Sequence, residues 1–458
     1  LFFNSGVVSQ TYRFKFDMKG KEDSLLYLAY YLGDKTYLQD TAYSNGKGQY
    51  VFEGDSVLPG GIYIVAGQNN SKYLEIIVNE NQRFSVKSKG ENLAENIEFT
   101  NSPENELFFE YINFNVEKRK QIQELKEKQK QPLSSADSAD IQKQIAMHYD
   151  DLEQYRIDLV KEYPESFVAV LIQAMQEPEM GKLPESGATH EDSVQMYQHY
   201  KQHYWDNFDL SDERLLRTPL YHRRLETYFN KVLYQHPDTI IAAADRLIRQ
   251  AKPNRETFKY VVWYLTFTFE TSKVMGFDEI FVHMIDRYYS TGEAFWASKS
   301  TTRSLKERAD VLRNVLIGEP APDLILLDTM GTFTSLYRYK APYMVVLFYE
   351  NDCGHCRKEI DALKEWDAES EIDFKVFAVS TDTSLVDWKK FIREKEMPWI
   401  HVNATRSVTR DYHDLYDISM TPTIYMLDDK KKIIAKRLKT EQLRPFLENY
   451  HTYHSNEN

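Results

Sequence analysis

The stretch Tyr343 to Ile360, YMVVLFYENDCGHCRKEI, constrains the fold more than any other part of the chain. Tyr343 to Tyr349 is an unbroken apolar run that reads as a buried strand; a short polar turn follows, and a helix opens at Cys353. The only two cysteines in 458 residues sit there, as Cys353-Gly354-His355-Cys356. Residues three apart share a helical face, so the two sulfurs can meet across the first turn. Unpaired N–H groups and the positive end of the helix dipole favour a thiolate over a thiol at that point. The pattern supports a dithiol that opens and closes as a disulfide. A structural zinc site would need four ligands, and no second cysteine pair is present. Two inert cysteines fit poorly with a chain that places both at one strand-to-helix junction and none elsewhere.

At about 150 residues per domain, the length suggests about three domains. A net charge of −13 and an isoelectric point near 5.5 argue against a nucleic-acid surface. The basic runs Lys118-Arg119-Lys120 and Lys430-Lys431-Lys432 are short and read as solvated edges. No apolar run approaches the ~18 residues of a membrane-spanning helix. A chain with no spare thiol to mispair suits an oxidising compartment. It begins at Leu1 rather than Met, and Leu1-Phe2-Phe3 reads as the tail of a removed signal sequence or as a first strand. The expectation is export to the periplasm or cell envelope.

Over residues 1–100, the segments Gln10 to Phe16, Leu25 to Leu32, Tyr50 to Glu53, Ile62 to Val65, Tyr73 to Val78 and Phe84 to Lys87 alternate in hydrophobicity. Turn residues such as Asn45-Gly46 and Pro59-Gly60-Gly61 separate them, which predicts an antiparallel sandwich or small barrel. No catalytic cluster stands out, so docking or dimerisation is its expected use. Residues 101–312 change to helical periodicity: Pro103 to Lys130, Ser138 to Tyr163, Phe167 to Met175, a polar loop from Pro178 to Ala188, and further helices to Arg308. His199 and His203 stand one helical turn apart, a spacing that can hold a metal, but the stretch lacks the Glu of a metalloprotease motif. Trp205 to Glu213 is acidic, yet it lacks the Gly and terminal Glu of a calcium loop; Ser211, Asp212 and Glu213 read as a helix cap.

Two phrases, HYWDNFDLSDERLLRTPLYHRRLETYF (His203 to Phe229) and FETSKVMGFDEIFVHMIDRYY (Phe269 to Tyr289), resemble a helical domain of unknown function. That domain precedes thioredoxin-like domains in envelope proteins of some Gram-negative bacteria, and residues 1–100 resemble the β-rich domain at the front of such proteins. The resemblance implies architecture here, and little chemistry.

Residues 313–458 alternate strands and helices. Leu324 to Leu327 and Thr332 to Leu336 read as a hairpin, and the central strand and cysteine helix follow. Strands are expected at Phe374 to Val379, Trp399 to Val402, Thr423 to Leu427 and Ile433 to Lys436. Helices are expected at Ser384 to Lys395, Ser407 to Tyr416 and Glu441 to Tyr450, giving a mixed sheet covered on both faces. Three motifs carry a second resemblance: Gly318-Glu319-Pro320-Ala321-Pro322-Asp323, the Cys-Gly-His-Cys pair, and Met420-Thr421-Pro422-Thr423. They are similar to the thioredoxin fold and to its TlpA/ResA-like branch. The chain thus reads as a multidomain α+β and α/β protein: an N-terminal antiparallel β domain, a central α-helical domain and a C-terminal thioredoxin-like fold.

The resemblance implies that Pro422 is cis and faces the cysteines, leaving Thr421 backbone groups to pair with an extended substrate strand. It implies Cys353 as the attacking thiolate and Cys356 as the residue that resolves the mixed disulfide. The His355 imidazole would stabilise the thiolate, and Glu359 would exchange protons with the cysteines, although a solvated helix Glu is the plainer reading. Asp352 stands where thioredoxins usually have Trp and is expected to raise the Cys353 pKa; Leu347 stands where thioredoxin has a buried acid. No cofactor or metal is expected. The expected partners are protein thiols and disulfides and an upstream electron donor, with no nucleic acid. The expected activity is thiol–disulfide exchange, as a reductase of protein disulfides. A peroxidase would need Thr where Glu350 stands, three residues before Cys353. From another class, a binding or scaffold protein with vestigial cysteines is the alternative.

Overall fold

Along Tyr12–Lys19 the side chains of Tyr12, Phe14, Phe16 and Met18 are buried while those between them reach towards solvent, the period-two pattern of a half-buried strand. The computed structural model describes residues 11–21, 23–90, 93–132, 134–178 and 189–455; Leu1-Phe2-Phe3 and most of the polar loop from Pro178 to Ala188 lie outside them. The first strands are β1 (Tyr12–Lys19), β2 (Leu25–Leu32), β3 (Lys35–Tyr43), β4 (Gln49–Gly54), β5 (Gly61–Gly67), β6 (Lys72–Val78), β7 (Arg83–Lys89) and β8 (Glu98–Thr100). They form two four-stranded sheets, of order β4-β1-β7-β8 and β3-β2-β5-β6. Phe14, Phe16 and Phe52 of one sheet share a core with Leu26, Tyr63 and Ile76 of the other, which makes a sandwich.

Two details correct the sequence reading. β1 runs antiparallel to β4 but parallel to β7, so the arrangement is not wholly antiparallel. β3 was not expected, because it lies at a sheet edge with largely exposed side chains and so lacks alternation. Its signal is the two-residue turn Gly33-Asp34 that closes the Leu32–Lys35 pair.

The helices are α1 (Pro103–Gln129), α2 (Ser135–Glu162), α3 (Phe167–Met175), α4 (His190–His203), α5 (Pro219–Thr227), α6 (Pro237–Ala251), α7 (Arg255–Glu270), α8 (Asp278–Met284) and α9 (Lys299–Arg313). The cap before Glu213 is Asp212, which accepts the Arg214 N–H at 2.9 Å; Ser211 instead turns back to Asp209. The chain divides into two compact units, Leu1–Gln235 with Arg246–Phe258, and His236–Asp245 with Lys259–Asn458. Among the described residues no helix is long and apolar enough to cross a membrane. Among them, too, no group of three or more His, Cys, Asp or Glu is placed to hold a metal ion.

The second unit carries β9 (Ile325–Asp328), β10 (Phe333–Ser335), β11 (Tyr343–Tyr349), β12 (Phe374–Ser380), β13 (Ile400–Ser407), β14 (Thr423–Leu427) and β15 (Ile433–Lys436). Around them lie α10 (Gly354–Glu369), α11 (Leu385–Glu394), α12 (Tyr412–Leu415) and α13 (Thr440–Ser455). The sheet has seven strands in the order β10-β9-β13-β12-β11-β14-β15. β11 sits inside it, parallel to β12 and antiparallel to β14, and every one of its residues is buried. Val345, Leu347 and Tyr349 enter the core on one face, and Met344, Val346 and Phe348 enter the core on the other. Leu347 is therefore core packing between Ala378 and Ile424. The helix expected over Ser407 to Tyr416 shrinks to α12. β13 runs on to Ser407 and pairs across a register shift with β9, and the Val408 N–H reaches the Ile325 carbonyl at 2.9 Å. Sheet pairing there overrides local helical preference.

Candidate active site

A strand that ends inside a sheet delivers its next residues to the sheet's edge, where loops have room for chemistry. After Tyr349 the turn Glu350 to Asp352 is held from below: the Asn351 N–H donates to Asp382 Oδ2 at 3.0 Å, and Ser380 Oγ donates to the same oxygen at 2.8 Å. Arg357 Nε donates to the Asn351 carbonyl at 3.0 Å, tying the turn to the first turns of α10. Burial raises the Asp382 carboxyl above its ordinary value; the bonds from Ser380 and Asn351 pull the other way, and Glu350 and Asp352 add repulsion. Sequence reasoning missed Asp382, Asn351 and Arg357. The signal was weak: Asp382 follows an apolar strand in a Ser-Thr-Asp-Thr-Ser loop, and only the pairing of Tyr349 with Ser380 brings it here.

Cys353 is the residue that caps α10. Its Sγ accepts the Cys356 N–H at 3.2 Å and donates to the Thr421 carbonyl at 3.5 Å. It is partly exposed, whereas Cys356 is fully buried, and both are free thiols. Burial pushes the Cys353 thiol up, but hydrogen bonds from the Cys356 side chain and the backbone N–H groups of Cys356 and His355, with a contribution from Thr421, outweigh it. The net shift is downward, towards the thiolate. Cys356 goes the other way: burial, then its bond to Cys353, push it up to about 12. One negative charge on the pair is thereby concentrated on the outer sulfur.

The remaining residues fall around this pair. The Thr421-Pro422 bond is cis, and Thr421 meets Cys353 through its carbonyl. His355 is exposed, and its backbone N–H is among the groups that lower the Cys353 pKa. Asp352 is fully exposed at the limit of ion-pair range from Arg357, at 4.0 Å, and the net shift of Cys353 beside it is downward. Glu359 is half-buried one turn beyond Cys356, and its Oε2 accepts the Thr440 N–H at 2.9 Å and the Thr440 Oγ at 2.8 Å. It anchors the first turn of α13. His355, Glu359, Thr421 and Pro422 all line one cavity of about 810 Å³.

A cysteine that caps a helix and a second inside its first turn, the first bonded to the residue before a cis proline, beside the central strand of a mixed sheet, define a thioredoxin-like domain. Residues 317–436 match the AhpC/TSA family, and residues 121–314 match a domain of unknown function, DUF5106. A domain of a possible thiol-disulfide isomerase from Cytophaga hutchinsonii is 35% identical over 31% of this chain and 97% of that one, with a TM-score of 0.28. The thioredoxin domain of a thiol-disulfide oxidoreductase from Bacteroides vulgatus is 33% identical over 30% of this chain and 98% of that one, with a TM-score of 0.27. A thioredoxin-like protein from Bacteroides caccae is 19% identical over 60% of this chain and 98% of that one, with a TM-score of 0.46. No curated protein matches. Through its carboxyl-terminal domain the chain belongs to the thioredoxin-like thiol-disulfide oxidoreductases.

Proposed function

We propose that the Cys353–Cys356 dithiol reduces disulfide bonds of other proteins in the periplasm or cell envelope. The observation that supports this most is the division of labour between the sulfurs: one is reachable and held towards the thiolate by helix N–H groups, the other is buried and held as a thiol. In the first step the Cys353 thiolate attacks one sulfur of the client disulfide. That S–S bond breaks, a mixed disulfide forms, and the client's other sulfur leaves as a thiolate that takes a proton from solvent. In the second step Cys356 attacks the Cys353 sulfur, its proton passing to the departing client thiolate. The client leaves as a dithiol and the protein as a Cys353–Cys356 disulfide, so two electrons have moved. A dithiol donor upstream returns them by the same exchange.

In this cycle Thr421 and cis-Pro422 form the ledge on which an extended client strand lies beside Cys353. His355 contributes its backbone N–H, and Glu359 acts as an anchor of α13, since Thr440 holds its Oε2 twice. Replacing Cys353 with Ser should abolish turnover of a protein disulfide such as that of insulin, and Cys356→Ala should accumulate a mixed disulfide that a thiol reagent releases. Turnover retained by Cys353→Ser would reject the proposal.

A further inference from the structure

The cavity beside the cysteines is not built by the thioredoxin-like domain alone. Part of its lining is the segment between α7 and α8, Ser272 to Gly276 with Asp278, which shares the cavity with Thr421, Pro422 and His355. Internal bonds of the second unit fix this segment. The Lys436 N–H donates to Met275 Sδ at 3.4 Å, and Lys436 Nζ donates to the Val315 carbonyl at 2.5 Å and to Asp278. Gly276, at a φ of +87°, lets the segment turn there.

The lining has a definite chemistry. Val274 and Met420 are exposed apolar side chains, with Met275 and Leu438 beside them. The charges are unequal in sign once pairing is counted. Asp278 is neutralised by Lys436, Glu359 is engaged by Thr440, and Arg437 is paired with Asp417. Lys273 and Lys358 are exposed and, among the described residues, have no ion-pair partner; Lys439 is at the 4.0 Å limit from Glu441. A chain of net charge −13 therefore presents free cations in the cavity lined by Thr421, whose carbonyl bonds the reactive sulfur.

Resting on the exchange reading above, we infer that this cavity selects clients: it takes an extended peptide segment carrying an acidic side chain and an apolar neighbour beside its disulfide cysteine. The carboxylate meets Lys273 and Lys358, and the apolar side chain covers Val274 and Met420. Exposed charge pairs act mainly on encounter and specificity, and salt screens them.

The test uses the full chain and two disulfide-linked peptides that differ only in having Glu or Lys next to the cysteine. The expected result is a kcat/KM about fivefold or more in favour of the Glu peptide at low salt, shrinking towards one in about 0.5 M salt. The double variant Lys273→Glu with Lys358→Glu should lose or invert that ratio. Equal rates on the two peptides, or a preference that survives the charge reversal, would overturn the inference while leaving exchange itself standing. If Cys353→Ser turns over both peptides as the native chain does, it is the exchange reading that fails instead.

Discussion

A sulfur at the cap of a helix and a sulfur one turn deeper are the same chemical group in different solvents. Backbone N–H groups surround Cys353, and apolar side chains surround Cys356. As pH rises through the lowered Cys353 value the outer sulfur becomes a thiolate and alkylation speeds up; as pH falls through it, the sulfur is protonated and the rate drops. The midpoint for iodoacetamide labelling of the reduced protein should lie below the ~8.5 of a free cysteine. One equivalent should add, since Cys356 stays protonated up to about 12. A midpoint above that of free cysteine would contradict the geometry. At this scale the cysteines and Pro422 were legible because each sits in a short motif whose context is local. Asp382 was not, since it reaches Asn351 from 31 residues away through a strand pairing.

Elements read well where pattern and burial agree and poorly where a neighbour decides. β11 was plain from seven consecutive apolar residues because both its faces are covered. β3 and the end of β13 were not, the first for lack of a buried face and the second because β9 extends it. The start of α13 was placed within a residue, but not the reason for it: the N–H and hydroxyl of Thr440 both bind Glu359 on α10. Glu359→Gln should weaken a charge-assisted pair of bonds and lower unfolding stability by about 1 kcal/mol, read by urea titration. Stability unchanged together with a moved Cys353 labelling midpoint would return Glu359 to the role of proton carrier.

Across the whole molecule the joints are made by side chains far apart in sequence. Asp417, only 3% exposed, accepts from Arg308 Nη2 of α9 at 3.1 Å and also pairs with Arg437. Arg308 lies 109 residues before it, and no local pattern announces such a partner. Asp417→Ala removes a buried carboxylate but leaves two arginines that are partly hydrated, so the loss should be about 2–3 kcal/mol. A urea midpoint lowered at unchanged slope would report it; an unchanged midpoint would show that α9 does not depend on this joint.

The methionine that receives the Lys436 N–H belongs to a loop encoded well before the first strand of the redox sheet. On the client-selection proposal, mutations in that loop would change which visitors are admitted while leaving Cys353 and Cys356 in place. If the cavity selects clients as proposed, taste and reactivity are written in separate stretches of the polypeptide.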